Sequence, residues 1–216
     1  MKSYKLFSII VIALIFINGC EKDTVLHPPS ASRNDTIKNN IKVPLTRQAL
    51  NYNCGASAFQ SILYYYGIEY SEGDLAVLLH SDTLNGTRYQ NIVSLANRLH
   101  LNVETKTNAT FNDLKHYLDL KKPVIILIQA WTNQSIVDWK NDWIDGHYVV
   151  AIGYDQNNVY FMDPSTLGNY AYIPQPEFMD RWHDIDGTND TLRHFILSIQ
   201  KESVSKYDPN KILKID

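Results

Sequence analysis

A single cysteine is the first residue in this sequence whose type and position could support chemistry. Cys54 is the only cysteine after residue 20, and it comes just before an apolar run that predicts a helix. A thiol attacks as its thiolate, and both a helix N-terminus and an imidazolium stabilise that anion. Cys54 is therefore a candidate nucleophile. The alternative is a buried, inert thiol, which is common in proteins.

Two further residues could complete a nucleophilic site. His147 stands at the start of one predicted strand and Asp163 at the end of the next. The histidine could act as general base towards the thiol, and the aspartate could orient the imidazole and fix its tautomer. Taken alone, His147 could be an edge histidine with satisfied hydrogen bonds, and Asp163-Pro164 an ordinary turn. The combination is more specific than either residue alone.

The tetrahedral intermediate of acyl transfer also needs hydrogen-bond donors for its oxyanion. One candidate is the backbone N–H of Cys54, and the other is the side-chain amide of Gln48, six residues upstream. Gln48 could otherwise be an exposed loop residue. No cluster of cysteine and histidine has the spacing of metal ligands, so we expect neither a metal nor another cofactor.

Helical patterns come first in the chain and strand patterns later. The helices are predicted over residues 56–66, 71–80, 88–99 and 111–120, and the strands over 101–107, 123–130, 147–154, 158–163 and 194–200. Gly67 is a natural stop for the first helix, and Ser71 is a good N-cap for the second. This order predicts an α+β fold, with an N-terminal helical half packed on an antiparallel sheet.

The predicted hairpin from His147 to Asp163 imposes a geometric condition on the site. Side chains alternate between faces, so a plain two-residue loop would pair Val150 with Asp163 and turn His147 to the opposite face. A three-residue loop would pair Val149 with Asp163 and place His147 two residues along on the same face, within diagonal reach. A catalytic role for Asp163 therefore predicts an odd-length loop or a bulge.

Residues 131–145 contain three tryptophans in an otherwise polar segment, Trp131, Trp139 and Trp143. The segment could be a flap that borders a substrate cleft. The alternative, which we favour slightly, is a loop that its tryptophans pin against the edge of the sheet.

The start of the chain has the pattern of a signal peptide: Lys2 and Lys5, an apolar stretch, then Asn18-Gly19-Cys20. It resembles the lipobox of bacterial lipoproteins, in which the cysteine carries a diacylglycerol; the alternative is a plain secretory signal. The predicted organisation is a lipoprotein signal peptide (1–19), a lipidated Cys20 with a polar tether (20–42), one domain (43–200) and a polar C-terminal tail (201–216).

Composition limits the partners. With 44% hydrophobic residues the chain can build a core, and its formal net charge of -3, without a basic run, does not favour nucleic acid. We expect a monomer in the bacterial cell envelope, held to the membrane by its N-terminal lipid and facing the periplasm or the cell exterior.

Three segments together resemble a known family. Gln48-x5-Cys54-Gly55, Gly146-His147-Tyr148-Val149-Val150 and Asp163-Pro164 are similar to the papain-like C39 peptidases, and more narrowly to their stand-alone C39-like members. The resemblance implies a papain-like fold with Cys54 as nucleophile, His147 as base, Asp163 as its orienting partner and Gln48 as oxyanion donor. It implies a peptide or protein substrate and a thioester acyl-enzyme.

Two other functions stay open at the level of sequence. Papain-like relatives include amidases and acyl or peptidyl transferases, which share the triad but use another substrate or acceptor. A lipoprotein that binds a partner on a papain-like scaffold without turnover is the remaining possibility. The reactivity of the Cys54 thiol distinguishes the enzymes from the binding protein.

Overall fold

The computed structural model describes residues 40–187, 190–202 and 207–215. These residues all fall within one compact unit, Asp35–Asp216. The predicted signal peptide, the lipidation of Cys20 and the tether up to residue 39 lie outside the described residues. No helix in the described ranges is both long and apolar enough to cross a bilayer.

Four helices precede most of the strands, as predicted, and a fifth comes late in the chain. They are α1 Cys54–Tyr65, α2 Glu72–Leu78, α3 Tyr89–Arg98, α4 Phe111–Asp119 and α5 Gln175–Arg181. Ser71 caps α2 by accepting a hydrogen bond from the backbone N–H of Asp74. Thr110 and Asp113 cap α4 with reciprocal side-chain hydrogen bonds. These caps satisfy N–H groups that have no partner inside the helix, which is why the helices begin there.

The described strands form a six-stranded sheet and a separate two-stranded ribbon. Their bounds are β1 Asn102–Lys106, β2 Val124–Gln129, β3 Gly146–Tyr154, β4 Asn158–Met162, β5 Ala171–Pro174, β6 His183–Asp186, β7 Asp190–Arg193 and β8 Ile196–Gln200. The large sheet has the order β1-β8-β2-β3-β4-β5, and β6 pairs with β7. All these pairings are antiparallel. The predicted α+β class is confirmed.

Helix α1 packs against the central strand β3. Eleven of its twelve residues are buried, as expected for a helix that is apolar almost all round. Strand β2 is buried along its whole length, which agrees with its unbroken apolar run. The site residues at the start of α1 and on β3 therefore stand on two of the most enclosed elements of the fold.

Sequence patterns predicted nothing between residues 164 and 193, where the structure has β5, α5, β6 and β7. These elements are four to seven residues long and mix polar with apolar residues, so they are too short to show a clear period. Two predicted bounds were also wrong: α2 ends before His80, and β8 begins only after His194. Both histidines have positive φ, 52° and 47°, which regular structure does not accommodate.

Candidate active site

Cys54 is the first residue of α1 and is 7% exposed. The side chain of Asn53, the residue before the helix, forms no capping hydrogen bond. The backbone N–H groups of the first turn therefore have no hydrogen bond from an N-cap side chain. Gly55 lets the helix start approach the chain at Thr87, because a Cβ at position 55 would lie 2.6 Å from Thr87 Cβ. The sequence predicted a helix from residue 56, and the structure begins it two residues earlier, at Cys54 itself.

The hairpin between β3 and β4 has the irregularity that the catalytic interpretation requires. Its loop is short, because the backbone N–H of Asp155 donates to the carbonyl of Asn158 over 3.0 Å. Val150 pairs with Met162, and the register shifts between Ala151 and Gly153. Ile152 is thus an extra residue, a β-bulge that changes the alternation of β3. The prediction of an odd loop or a bulge is confirmed.

The bulge brings the histidine and the aspartate to one face. Continuing the register by one residue from Val150 and Met162 places Val149 opposite Asp163, and His147 two residues along. The Nε2 atom of His147 is 2.7 Å from Oδ1 of Asp163. His147 also forms a hydrogen bond with the Cys54 side chain, and Nδ1 is the ring nitrogen left for it. One imidazole therefore links the carboxylate to the thiol.

The surroundings favour a charged imidazole. Burial lowers the pKa of His147, but the hydrogen bonds and charges of Asp163 and Cys54 outweigh it and raise that pKa to about 9. Burial raises the pKa of Asp163, but its hydrogen bond to His147 and the charge of that residue bring the pKa below its usual value. A neighbouring imidazolium favours the thiolate form of a thiol.

The loop after Asp163 holds the carboxylate in place. Its Oδ1 also accepts a hydrogen bond from the backbone N–H of Ser165 over 2.8 Å, and its Oδ2 accepts one from the Thr166 hydroxyl over 2.7 Å. Both oxygens are thus occupied, and the carboxylate is fixed where His147 needs it.

Gln48 lies beside this same loop. Its backbone N–H donates to the carbonyl of Pro164 and its Oε1 accepts from the Ser165 hydroxyl, at 3.2 and 3.1 Å. Its amide nitrogen donates to the carbonyl of Leu50 over 3.1 Å. The structure therefore links Cys54 and Asp163 through the imidazole of His147, and it ties Gln48 to the aspartate loop through Ser165.

Two cavities flank the candidate catalytic residues. The first, which we call the imidazole-side cavity, has a volume of about 350 Å³, and His147, Val149, Asp163 and Trp131 are among its lining residues. The second, the thiol-side cavity, has a volume of about 400 Å³. Its lining includes Cys54, Gly146, Tyr148, Asp184 and Asp186. A bound chain could reach both cavities from the thiol.

The three tryptophans of residues 131–145 show features of both predicted roles, a flap that borders a cleft and a loop pinned against the sheet. Trp139 packs under the Arg181 guanidinium, 3.6 Å from the ring centre, and Trp143 packs on His183 with ring centres 4.2 Å apart. Trp131 is 60% exposed and lines the imidazole-side cavity. Trp139 also lines the imidazole-side cavity and Trp143 the thiol-side cavity, so these tryptophans both pin the loop and border the site.

Sequence reasoning missed the acidic wall of the thiol-side cavity. Asp184 and Asp186 lie on β6, and Gln129 at the end of β2 donates to the carbonyl of His183 and to Asp184, at 3.0 and 3.2 Å. Residues 183–186 ahead of Gly187 could have suggested a strand followed by a turn, but four residues are too few to show a clear period. Within the described part of the chain, no group of three or more His, Cys, Asp or Glu side chains is arranged to hold a metal ion.

Solved structures with a similar fold are peptidase domains. The peptidase domain of Streptococcus ComA, a bi-functional ABC transporter involved in quorum sensing, has a TM-score of 0.56 at 20% identity, covering 74% of this chain and all of that one. A double glycine motif protease from an AMS/PCAT transporter, solved with a leader peptide, has a TM-score of 0.54 at 19% identity, covering 77% and 96%. A candidate C39-like peptidase from Bacillus anthracis has a TM-score of 0.57 at 19% identity, covering 78% and 99%. These likenesses show the fold.

Fold and site together define a papain-like α+β domain of the C39 type. Residues 40–189 match the Peptidase_C39 like family, and the chain belongs to that family. A stretch of 140 residues is 25% identical to the pediocin PA-1 transport/processing ATP-binding protein PedD of Pediococcus acidilactici. That stretch is 65% of this chain and 17% of the relative, so the match concerns only a small part of PedD.

Proposed function

We propose that this protein is a cysteine peptidase of the bacterial cell envelope, anchored by a lipid on Cys20, that cleaves peptide or amide bonds. The observation that carries the proposal is the imidazole of His147, which is hydrogen-bonded to Asp163 over 2.7 Å and to the side chain of Cys54. The family and the relatives whose names refer to processing and to a leader peptide support a peptide substrate.

The first chemical step forms the acyl-enzyme. The Cys54 thiolate attacks the carbonyl carbon of the scissile bond, and the carbonyl oxygen becomes an oxyanion. The backbone N–H of Cys54 is one donor to that oxygen. The Gln48 amide nitrogen carries two hydrogens, of which one donates to Leu50; the other can serve the oxyanion.

His147 then moves the protons. As an imidazolium it donates its Nδ1 proton to the leaving amine, the carbon–nitrogen bond breaks, and a thioester remains on Cys54. The neutral imidazole next takes a proton from water, the hydroxide attacks the thioester, and the carbon–sulfur bond breaks, which releases the acid and restores the thiolate and the imidazolium. Asp163 keeps the Nε2–H oriented throughout, so that Nδ1 stays directed at the reacting atoms.

The direct test is the rate at which iodoacetamide alkylates Cys54 as a function of pH. We would use the full-length chain in detergent, with peptide-resolved mass spectrometry to separate Cys54 from Cys20. Near pH 6.5 an ordinary thiol is only about 1% ionised, so we expect His147→Ala to react about tenfold more slowly than the wild type. His116→Ala, which changes an exposed histidine on α4, should match the wild type.

The pH dependence of alkylation could instead be the same in the wild type and His147→Ala, and match that of an ordinary thiol. This result would contradict the peptidase proposal and favour a binding lipoprotein. A reactive Cys54 justifies a search for peptide substrates, with Cys54→Ala as the inactive control. Transfer of the acyl group to an added amine, rather than to water, would identify a transferase.

The lipid anchor is tested separately. The mature N-terminus should be Cys20 carrying a diacylglycerol, detected by intact mass, and Cys20→Ser should release the protein from the membrane fraction. An unmodified mature N-terminus would restrict the proposal to a secreted peptidase.

A further inference from the structure

The thiol-side cavity is acidic. Asp184 and Asp186 line it, whereas its other described lining residues include no lysine, arginine or histidine. The two carboxylates are 8% and 3% exposed, so they are shielded from solvent. A chemical group that enters this cavity from Cys54 meets negative charge at short range.

Neutral donors only partly satisfy these carboxylates. The backbone N–H of Ile185 and the Gln129 amide donate to Asp184 at 2.8 and 3.2 Å, and the backbone N–H of Tyr89 donates to Asp186 Oδ1 at 3.4 Å. Asp186 Oδ2 is buried without a hydrogen-bond partner. Within the described residues neither carboxylate forms an ion pair at 4.0 Å or less.

Tyr148 gives an independent indication of a ligand. It lies on β3, next to His147, and is 4% exposed. Its hydroxyl is buried without a hydrogen-bond partner, although the residue lines the same cavity. A buried hydroxyl without a partner is destabilising, so its retention beside two carboxylates points to a partner that arrives with a substrate.

We propose that the thiol-side cavity is the subsite for a cationic group of the substrate, a lysine or arginine side chain or a terminal amino group, adjacent to the bond that Cys54 attacks. This proposal rests on the proposed peptidase function. An ammonium or guanidinium offers only donors, and it would meet acceptors: Asp186 Oδ2, the Asp184 carboxylate and the Tyr148 hydroxyl oxygen. An acidic side chain would meet repulsion from the same atoms.

The titration of the acidic wall supports this assignment. Burial, against the hydrogen bonds from Ile185 and Gln129, raises the pKa of Asp184 to about 7; in that net value the charge of Asp186 acts upward and the charge of His147 downward. Burial also raises the pKa of Asp186; Arg88 opposes this and Asp190 reinforces it. A bound cation favours the charged carboxylates, so cation binding should release protons and strengthen as pH rises through about 7.

The first experiment measures cation binding directly. We would label the full-length chain with 15N-glycine, since its nine glycines include three that line the cavity, Gly86, Gly146 and Gly187. Titration with n-butylammonium chloride should shift these three signals saturably and leave Gly73 and Gly168 in place. The neutral isostere n-butanol should not shift them.

Variants identify the groups that bind. Asp186→Asn should weaken n-butylammonium binding about tenfold, as expected for the loss of a charge-assisted hydrogen bond. Tyr148→Phe, which does not change the charge, should weaken n-butylammonium binding less. It replaces Asp186→Asn as the test if that variant does not fold. Glu69→Gln, which removes an exposed charge after α1, is the matched control and should bind as the wild type does.

The second experiment asks whether the bound cation lies next to the sulfur. 2-Aminoethyl and n-propyl methanethiosulfonate differ only by ammonium in place of methyl, and both form a mixed disulfide with the Cys54 thiolate as methanesulfinate leaves. Each rate is divided by the rate of the same reagent with glutathione. With the wild type, the aminoethyl reagent should then react at least about tenfold faster than the propyl reagent, and Asp186→Asn should remove most of this preference.

The outcomes separate the two proposals. Any of three results would overturn the cationic subsite. The glycine signals could show no saturable shift, or they could shift with calcium chloride but not with n-butylammonium. The third result is a ratio of reagent rates that is unchanged in Asp186→Asn. An unreactive Cys54 towards both reagents would overturn the peptidase function, while the glycine titration still decides whether the cavity binds a cation.

Discussion

The carboxylate of Asp184 lies directly against the backbone of Gly146. A Cβ added to Gly146 would come within 2.3 Å of Asp184 Oδ1 and 2.4 Å of its Oδ2. A side chain at position 146 would therefore have to displace the Asp184 carboxylate from its place beside the end of β3. This contact joins the acidic wall of the thiol-side cavity to the histidine of the candidate triad.

Replacing Gly146 with alanine should damage the site. The new methyl group has to displace Asp184 or move His147, so we expect a loss of Cys54 reactivity near pH 6.5 and a lower free energy of unfolding, by about 1–3 kcal/mol. Chemical denaturation and the alkylation assay measure the two effects.

Gly73→Ala is the matched control for that experiment. Gly73 lies inside α2 with open space around its missing side chain, so alanine should stabilise the helix by roughly 0.5–1 kcal/mol and leave reactivity unchanged. Equal stability changes in the two variants would contradict the close contact at Gly146.

The pair of His147 and Asp163 should make stability depend on pH. The folded-state pKa of His147 is raised to about 9. Its contribution to the free energy of unfolding is therefore complete below about pH 6.5 and is lost as pH rises through about 9. The pKa of Asp163 is lowered, so its contribution is present above about pH 4 and is lost on further acidification.

Asp163→Asn should therefore be most destabilising between about pH 4 and 6.5, on the order of 2 kcal/mol, with the difference shrinking towards about pH 9. Urea unfolding at a series of pH values measures this, with Glu69→Gln as a control that removes one exposed charge. A pH-independent difference would mean that the two side chains do not form a charged pair.

Gln48→Ala should separate turnover from thiol activation. The cleavage rate of a peptide substrate should fall by about 10²–10³ if the amide stabilises the oxyanion, whereas alkylation by iodoacetamide, which forms no oxyanion, should keep its rate and pH profile. Gln156→Ala, at the exposed hairpin loop, is the control. A parallel fall in alkylation would show instead that Gln48 acts by anchoring the Asp163 loop through Ser165.

Tyr148→Phe should leave the free energy of unfolding of the ligand-free protein unchanged or raise it by about 1 kcal/mol, because a buried hydroxyl without a partner is removed. Tyr170→Phe is the matched comparison. The Tyr170 hydroxyl donates to the carbonyl of Val43 over 2.7 Å, so its loss should cost about 1 kcal/mol. Equal losses in both variants would mean that Tyr148 is bonded in solution.

Local sequence patterns were enough to predict the elements that carry the candidate triad. The apolar run after Cys54 and the strands on either side of residues 155–157 are long enough to show a clear pattern. A catalytic Asp163 required an odd-length loop or a bulge in the hairpin, but the alternation of residues does not locate a bulge, because a bulge depends on how two strands pair. The structure places it at Ile152.

The rest of the site depends on pairings that no local pattern encodes. Strand β8 lies between β1 and β2 although about a hundred residues of chain separate β1 from β8. The ribbon of β6 and β7 consists of four-residue strands, and only the folded chain shows that Asp184 and Asp186 line the same cavity as Cys54. Acidic residues in a short polar hairpin are ordinarily solvated, so sequence gave no reason to separate them from the surface.

The bulge at Ile152 also limits how this chain can change in length. Its carbonyl accepts a hydrogen bond from the backbone N–H of Ile41 over 2.8 Å, so the extra residue is held from outside the hairpin. Deleting it would turn one flank of β3 by half a rotation relative to the other, exposing buried residues or moving His147 away from Asp163. Insertions at the tip of the hairpin, near Gln156, lengthen the loop without changing which faces of the sheet the β3 side chains occupy. Length variants should therefore survive selection at the tip of the hairpin and be eliminated at its bulge.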